Sequence, residues 1–431
     1  MDLDKLKARL SATTTVLPVG RVLAVTGLSV RASLPAARVG DVVVIRRKGG
    51  PLLGEIVGFG EGEAVVLPLG ALSGVGPDDA VESTGSPLEV RASDALLGRV
   101  MDGLGRPVDG RPDVVGVGVP VDRDPPPALA RRPVTRPIAT GVRVIDALLT
   151  LGEGQRIGLF AGSGVGKSTL LGAITRGTEA DVVVVALVGE RGREVGEFID
   201  RILGDQGRKK SVVVVATSDA PALERLRAAQ VATAYAEHFR DQGRKVMLLV
   251  DSVTRFARAQ REVGLSAGEP PARRGYPPSV FAMLPRLLER SGQAKTGSIT
   301  AVYTVLVEGS DMDEPIADEV RAVVDGHVVL DRTLAARGRY PAVDVTTSVS
   351  RVMSAIVEGS HLAAATRMRE LVATYESRRD LVMLGAYAKG TDRDLDRAIE
   401  VMPRIEAFLR QTPDEIARFD ESVRQMAAAV G

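Results

Sequence analysis

The chain has 431 residues, 45% of them apolar and 26% charged, and its formal net charge at pH 7 is +1. That length exceeds one average domain, so two or three are expected, each able to bury its own core. The near-neutral balance gives no bulk pull toward nucleic acid or anionic lipid, and the absence of cysteine excludes disulfides and thiolate metal sites, compatible with a reducing cytosol.

Met1–Leu10 alternates Asp, Lys and Arg and has no signal-peptide character; residues 1–16 are expected to be a short helix or a solvated tail. From Leu17 to Val90 short β-branched segments (Val16–Val25, Asp41–Arg46, Glu55–Phe59, Ala64–Pro68) alternate with Gly and Pro punctuation. Closely spaced short strands of this kind predict a small β-barrel or sandwich over residues 17–90. Residues 120–137 are a Pro-rich connector centred on Pro125-Pro126-Pro127, which cannot form a helix or a central strand and crosses the surface.

Within residues 91–358 the pattern is β/α. Strands are predicted at Arg156–Phe160, Val182–Leu187, Val212–Thr217, Val246–Val250 and Ile299–Leu306. Most are continuous apolar runs, as expected of parallel strands covered on both faces. Between them Glu224–Gly243 carries Leu226, Ala229, Thr233, Ala236 and Phe239 at helical spacing, with Gly243 as a stop. The alternation predicts a doubly wound or RecA-like sheet. Residues 359–431 show no strand signal: His361–Leu384 and Arg393–Gln411 are predicted helices, and Thr412-Pro413-Asp414 opens a last one. No apolar run approaches the roughly 18 residues a spanning helix needs. The expected fold class is therefore α/β, a RecA-like core with a small N-terminal β-barrel and a C-terminal helical domain.

Ala161-Gly162-Ser163-Gly164-Val165-Gly166-Lys167-Ser168 is a phosphate-binding loop pattern, with Ala where Gly is usual at the first position. A predicted strand precedes it and a helix-forming run, Ser168–Arg176, follows. The glycines let backbone N–H groups turn inward around phosphates at a helix N-terminus. Lys167 would reach the β- and γ-phosphates of ATP and the Ser168 hydroxyl would ligate Mg²⁺. Val246–Asp251 is an apolar strand ending in a carboxylate, and Asp251 would hold Mg²⁺ through water. Hydrolysis also needs a group that orients water. Glu190, just past the strand Val182–Leu187, is a candidate; on spacing alone a helix-capping acid is an equal reading.

Together Ala161–Thr169, Gly189–Glu194, Asp251–Arg261, Gly268–Leu284 and Arg339–Arg351 resemble the ATPases that drive flagellar and type III protein export, which are similar in turn to the α and β subunits of rotary ATP synthases. The resemblance runs from about Leu17 to near the C-terminus. It implies a Mg²⁺-dependent ATP hydrolase whose phosphate loop, Gly162–Thr169, cradles ATP. Glu190 matches the glutamate that activates water, and Arg191 and Arg255 match basic positions near the phosphates and the neighbouring subunit. Tyr340 matches the aromatic that packs on adenine, and Arg351 the arginine finger inserted into a neighbouring subunit's site. As residues alone, Tyr340 also fits a turn aromatic and Arg351 a surface salt-bridge partner.

The resemblance further implies a homohexamer at the cytoplasmic face of an inner-membrane export apparatus. Its partners would be a central stalk protein, a stator-like regulatory protein, an export gate and chaperone–cargo complexes. Arg273 and Arg274 would lie near the central channel, and no nucleic acid is expected. Glu190 argues against a non-catalytic α subunit and against a scaffold without turnover. Gly385–Asp392 lacks the acidic loop of a synthase β subunit and resembles the flagellar pattern. A terminator-type hexameric RNA translocase is the alternative, but Leu17–Val90 holds one aromatic, Phe59, where such a protein stacks bases on several.

Overall fold

The computed structural model of the chain describes residues 19–307 and 312–431. The tail at 1–16, the start of the barrel at Leu17 and part of the Leu306–Pro315 segment lie outside the described residues.

Six antiparallel strands close the barrel: β1 (Val19–Thr26), β2 (Ser29–Ser33), β3 (Val42–Arg47), β4 (Gly50–Gly60), β5 (Glu63–Pro68) and β6 (Ala80–Ser83), in the order β1-β2-β5-β4-β3-β6. The sequence pattern misses β2 and β6, which are short and part polar. Closure makes them strands, since β6 pairs with both β1 and β3 and leaves no free edge. Alternate residues of the strands, among them Val22, Val30, Val43, Ile45, Ile56 and Val66, point inward and form a core of their own.

Beyond the barrel β7 (Glu89–Ala92) pairs with β9 (Val117–Pro120), and β8 (Val100–Asp102) joins the edge of the main sheet. The main sheet continues with β10 (Arg156–Ala161), β11 (Val182–Glu190), β12 (Ser211–Thr217), β13 (Lys245–Asp251), β14 (Gly292–Gln293), β15 (Ser298–Leu306), β16 (Gly326–Leu330) and β17 (Val349–Ser350). Their order is β17-β16-β10-β15-β13-β11-β12-β8, with β14 on β15. All five strands expected here form, whereas β8, β14, β16 and β17 are too short to carry a pattern. The connector at 120–137 runs over the surface as expected, apart from one 3₁₀ turn at Ala128–Ala130.

Helices cover both faces: α1 (Arg143–Leu148), α2 (Lys167–Gly177), α3 (Gly192–Glu197), α4 (Gly204–Lys209), α5 (Ala222–Asp241), α6 (Val253–Ser266), α7 (Pro278–Leu288), α8 (Pro315–Val323) and α9 (Arg332–Ala336). In β11 every residue is buried. Val182, Val184, Ala186 and Val188 face one hydrophobic cluster with α5, α6 and α7, while Val183, Val185 and Leu187 face the other. That two-sided burial is why the strand reads as a continuous apolar run.

The C-terminal part holds α10 (Met353–Ile356), α11 (Gly359–Ser377), α12 (Arg379–Met383), α13 (Arg393–Leu409) and α14 (Phe419–Val430). Two expectations are corrected. His361–Leu384 is two helices, broken where Arg378 leaves helical geometry at φ −122°. The last helix opens at Phe419 and not at Thr412: residues 413 and 414 make an exposed turn, and the chain is tied down after it, with Ala417 N–H donating to Gly141 O at 3.0 Å. The core is also shared where a separate one was expected. Met368, Leu371, Val401, Ile405 and Met426 belong to the same cluster as Ile157, Leu159 and Leu249 of the sheet.

Barrel and sheet meet through an ion pair between Glu55 of β4 and Arg227 of α5, whose side chains are 7% and 9% exposed. Arg227 donates through two nitrogens to the carboxylate and through a third to Gln230 at 2.6 Å. Burial pushes the Glu55 carboxyl up and Arg227 opposes the shift. Arg227→Ala strands the carboxylate, and urea unfolding should show a loss of about 3–5 kcal/mol. The deficit should shrink as pH falls, because protonation removes the stranded charge. A loss below about 1 kcal/mol at neutral pH would mean that water reaches the site.

Candidate functional site

The glycine-rich turn between β10 and α2 builds one wall of the site. Gly164 and Gly166 adopt φ of 78° and 91°, the left-handed region that lets successive N–H groups face one concavity. A Cβ at Gly166 would touch the ring of Tyr340 at 3.4 Å, an ordinary contact, so it is the backbone conformation that calls for glycine there. Lys167 opens α2. Val165 turns its side chain into the core, 2% exposed, so only its backbone can face a ligand.

The opposite wall comes from the ends of β11 and β13. Gly189, at φ 67°, bulges β11 so that the register with β12 slips between Val188 and Glu190. Such a bulge re-aims the next side chain, and Glu190 turns into the cleft, itself only 7% exposed. α6 starts with Ser252 as cap, its hydroxyl accepting from Arg255 N–H at 3.3 Å, which sets Arg255 in the first turn. The Arg255 guanidinium crosses over Gly189, donates to its carbonyl and lies 2.9 Å from Glu190 Oε2. A Cβ on Gly189 would fall 3.0 Å from that side chain.

These walls enclose a cleft of about 470 Å³ lined by Gly162–Gly164, Gly166–Thr169, Glu190, Arg191, Glu194, Arg255 and Arg258. Lys167 Nζ lies against Asp251 Oδ1 and 3.5 Å from Glu190 Oε1. Asp251 is 2% exposed and accepts the Thr304 hydroxyl at 2.7 Å. Burial pushes the Glu190 carboxyl up, Lys167 and Arg255 pull it down, and Glu194 adds to the rise. A buried carboxylate held by cations and raised by desolvation is what a base needs to accept a proton near neutral pH.

Other expected residues fall in different places. Arg191 sits on the rim, its side chain 76% exposed and 3.5 Å from Glu194. Tyr340 flanks the loop at a smaller, mostly apolar pocket completed by Val142, Thr169, Ala173, Pro341, Gln411 and Pro413. Arg351 is outside its own chain's cleft; it is exposed at the end of β17 and donates to Val324 O and Arg321 O at 3.4 and 3.5 Å.

Sequence reasoning missed Arg258, Thr304 and the Gln411–Pro413 wall. Arg258 lies one helical turn beyond Arg255, a spacing that could have flagged it. Gln411 gives no local signal. It is placed by accepting Arg143 N–H at 2.7 Å and donating to Gly141 O and Glu415 O, both at 2.8 Å.

The donor chemistry fits Mg²⁺. Ser168 offers a hydroxyl and Asp251 a carboxylate, both hard oxygens, beside a loop built for phosphate. Among the described residues no group of three or more His, Cys, Asp or Glu forms a cage. The set therefore suits an ion that brings phosphate and water as its remaining ligands.

Residues 20–85 match the ATP synthase alpha/beta family, beta-barrel domain, residues 141–350 the same family's nucleotide-binding domain, and residues 357–428 the T3SS EscN ATPase C-terminal domain. The chain is 52% identical over 416 residues to the flagellum-specific ATP synthase of Bacillus subtilis (strain 168), an alignment spanning 96% of this chain and 95% of the relative. It is 50% identical over 412 residues to the type 3 secretion system ATPase of Xanthomonas euvesicatoria, spanning 95% and 93%. The assembled ATPase EscN of the enteropathogenic E. coli type III secretion system superposes with a TM-score of 0.91 at 45% identity, over 96% of this chain and 100% of that one. EscN in complex with its central stalk EscO gives 0.89, also at 45% identity and over the same 96% and 100%. Fold, phosphate loop and likeness over nearly the whole length agree: the chain belongs to the family of flagellum-specific and type III secretion ATPases.

Proposed function

We propose that the chain hydrolyses Mg²⁺-bound ATP at sites shared between neighbouring copies of a ring, and that this turnover energises type III-type protein export. The supporting observation is the buried Glu190, aimed by the Gly189 bulge and held 2.9 Å from Arg255 in the phosphate-loop cleft. Residues 162–169 bind the phosphates through backbone N–H groups, with Lys167 on the β- and γ-phosphates. Glu190 orients water in line with the γ-phosphorus and takes its proton, while Arg255 keeps the carboxylate aimed. Ser168 and, through water, Asp251 would hold Mg²⁺, which when bound neutralises charge on the β- and γ-oxygens. Arg191 on the rim assists at the subunit boundary. Arg351, exposed and away from its own cleft, serves the neighbour's site.

Arg351's position and the assembled EscN relative support a homohexamer, and the EscN–EscO complex supports a central stalk partner. The stator-like regulator, the export gate and chaperone–cargo complexes follow from the family's role, as does docking at the inner-membrane export apparatus. Among the described residues no helix is long and apolar enough to cross a membrane, so that docking would run through partners. ATP hydrolysis measured against protein concentration tests the reading. Specific activity should rise as rings assemble and vanish with EDTA; activity flat across dilution and indifferent to Mg²⁺ would overturn it.

Tyr340 would pack its ring on adenine beside the loop. Tyr340→Ala should raise KM for ATP about tenfold with little change in kcat, and Tyr340→Phe should restore it, since the face of the ring carries the contact. Equal KM in all three proteins would remove Tyr340 from the base pocket.

A further inference from the structure

Outside the cleft, a cluster of arginines lies in the seam between α9 and the C-terminal helices. A cavity of about 250 Å³ there is lined by Arg337, Arg339, Arg379 and Arg410 with only two carboxylates, Glu376 and Glu406, over a floor that includes Leu334 and Met402. The carboxylates are already committed. Glu376 pairs with Arg337 at 3.5 Å, and Glu406 is divided between Arg339 at 3.2 Å and Arg410 at 3.8 Å. Arg339 is 4% exposed, so its charge is desolvated on the strength of one carboxylate and the Val343 carbonyl at 3.3 Å. The Arg379 side chain, half-buried, has no hydrogen bond or ion pair to any described residue.

We propose that this seam is a binding site for a small phosphate dianion, either inorganic phosphate or a compact phosphomonoester. Guanidinium groups are planar forks that pair two N–H donors with two oxygens of a phosphate, and they gain most where water is thin. Two positive charges in excess match a dianion, and a cavity of this volume takes a phosphate together with several waters or a small ester group. The four arginines come from both sides of the seam: Arg337 and Arg339 follow α9 of the core, Arg379 opens α12, and Arg410 follows α13. One tetrahedral anion would thus tie the helical part to the segment that leads into Tyr340. The site is separate from the phosphate loop and uses none of its residues.

The test must silence the loop, which also binds phosphate. Thermal unfolding of the full chain carrying Lys167→Ala is followed while inorganic phosphate or glycerol phosphate is titrated against chloride at equal ionic strength. The midpoint should rise on the order of 2–4 °C and saturate. Adding Arg379→Ala, or separately Arg410→Ala, should abolish the saturable part. A non-saturating rise equal in all proteins would be exclusion of a kosmotropic salt from the surface and would overturn the proposal. So would a saturable shift given by an acidic peptide and not by phosphate, because the seam would then be a protein-docking site.

Discussion

Glu190→Gln is expected to lower turnover about a thousand-fold while leaving ATP affinity unchanged or slightly tighter. The amide has the carboxylate's shape, and its carbonyl still accepts from Arg255, so the bulged end of β11 stays in place. It cannot take a proton from water. Removing a negative charge beside the phosphates gives no reason for weaker binding, because Lys167 then has one competitor fewer at 3.5 Å. The pH profile carries the same signature. A base must be unprotonated, and burial raises the Glu190 carboxyl above its ordinary 4.5. The acid limb of kcat/KM should therefore fall at higher pH than an exposed glutamate would give, and activity should grow as pH rises through it. In the variant the residual activity should lack that limb. Turnover within threefold of the parent would take Glu190 out of the chemistry.

Arg351→Ala should cost about 10³–10⁵ in kcat, the range found where an arginine stabilises charge on a transferring phosphoryl group. The sharper result comes from mixing. Arg351→Ala and Glu190→Gln are each expected to be nearly inactive alone. In mixed rings, some interfaces would join a cleft with intact Glu190 to a neighbour with intact Arg351. Those interfaces should restore measurable hydrolysis. If Arg351 acted within its own chain, every mixed ring would stay silent, since no chain carries both residues. Its bonds to Val324 O and Arg321 O are long and lie outside the cleft, which favours the shared arrangement.

Much of this site could be read from residue order, for a physical reason. A phosphate loop is a local object: strand, glycines, lysine and helix start are consecutive, so their sequence nearly determines their geometry. Glu190 was half legible. Its place past a strand was visible, but the bulge at Gly189 that turns it inward depends on pairing with β12. Gln411 was not legible at all, because it joins the base pocket through bonds to residues some 270 positions away. The barrel's long strands announced themselves, whereas β2 and β6 exist because a closed barrel requires them. In the helical part periodicity found α11 and α13 but extended each helix over its neighbouring turn. The backbone leaves helical geometry at Arg378 and at Arg410, and that is where those helices stop.

The hydrophobic cluster that runs without a break from β10 through α11, α13 and α14 has a further consequence. The barrel keeps a core of its own and reaches the sheet's cluster through its edge, at Leu67 and Leu69, beside the Glu55–Arg227 ion pair, whereas the helical part is grafted onto the underside of the sheet. A graft of that kind melts with its host. Calorimetry should show the sheet and the C-terminal helices leaving in one cooperative transition. In use, the helical part cannot swing as a loose arm. Any displacement driven by nucleotide has to be bought by repacking the sheet's own underside, so strain made at the phosphate loop reaches the far helices as a change of packing.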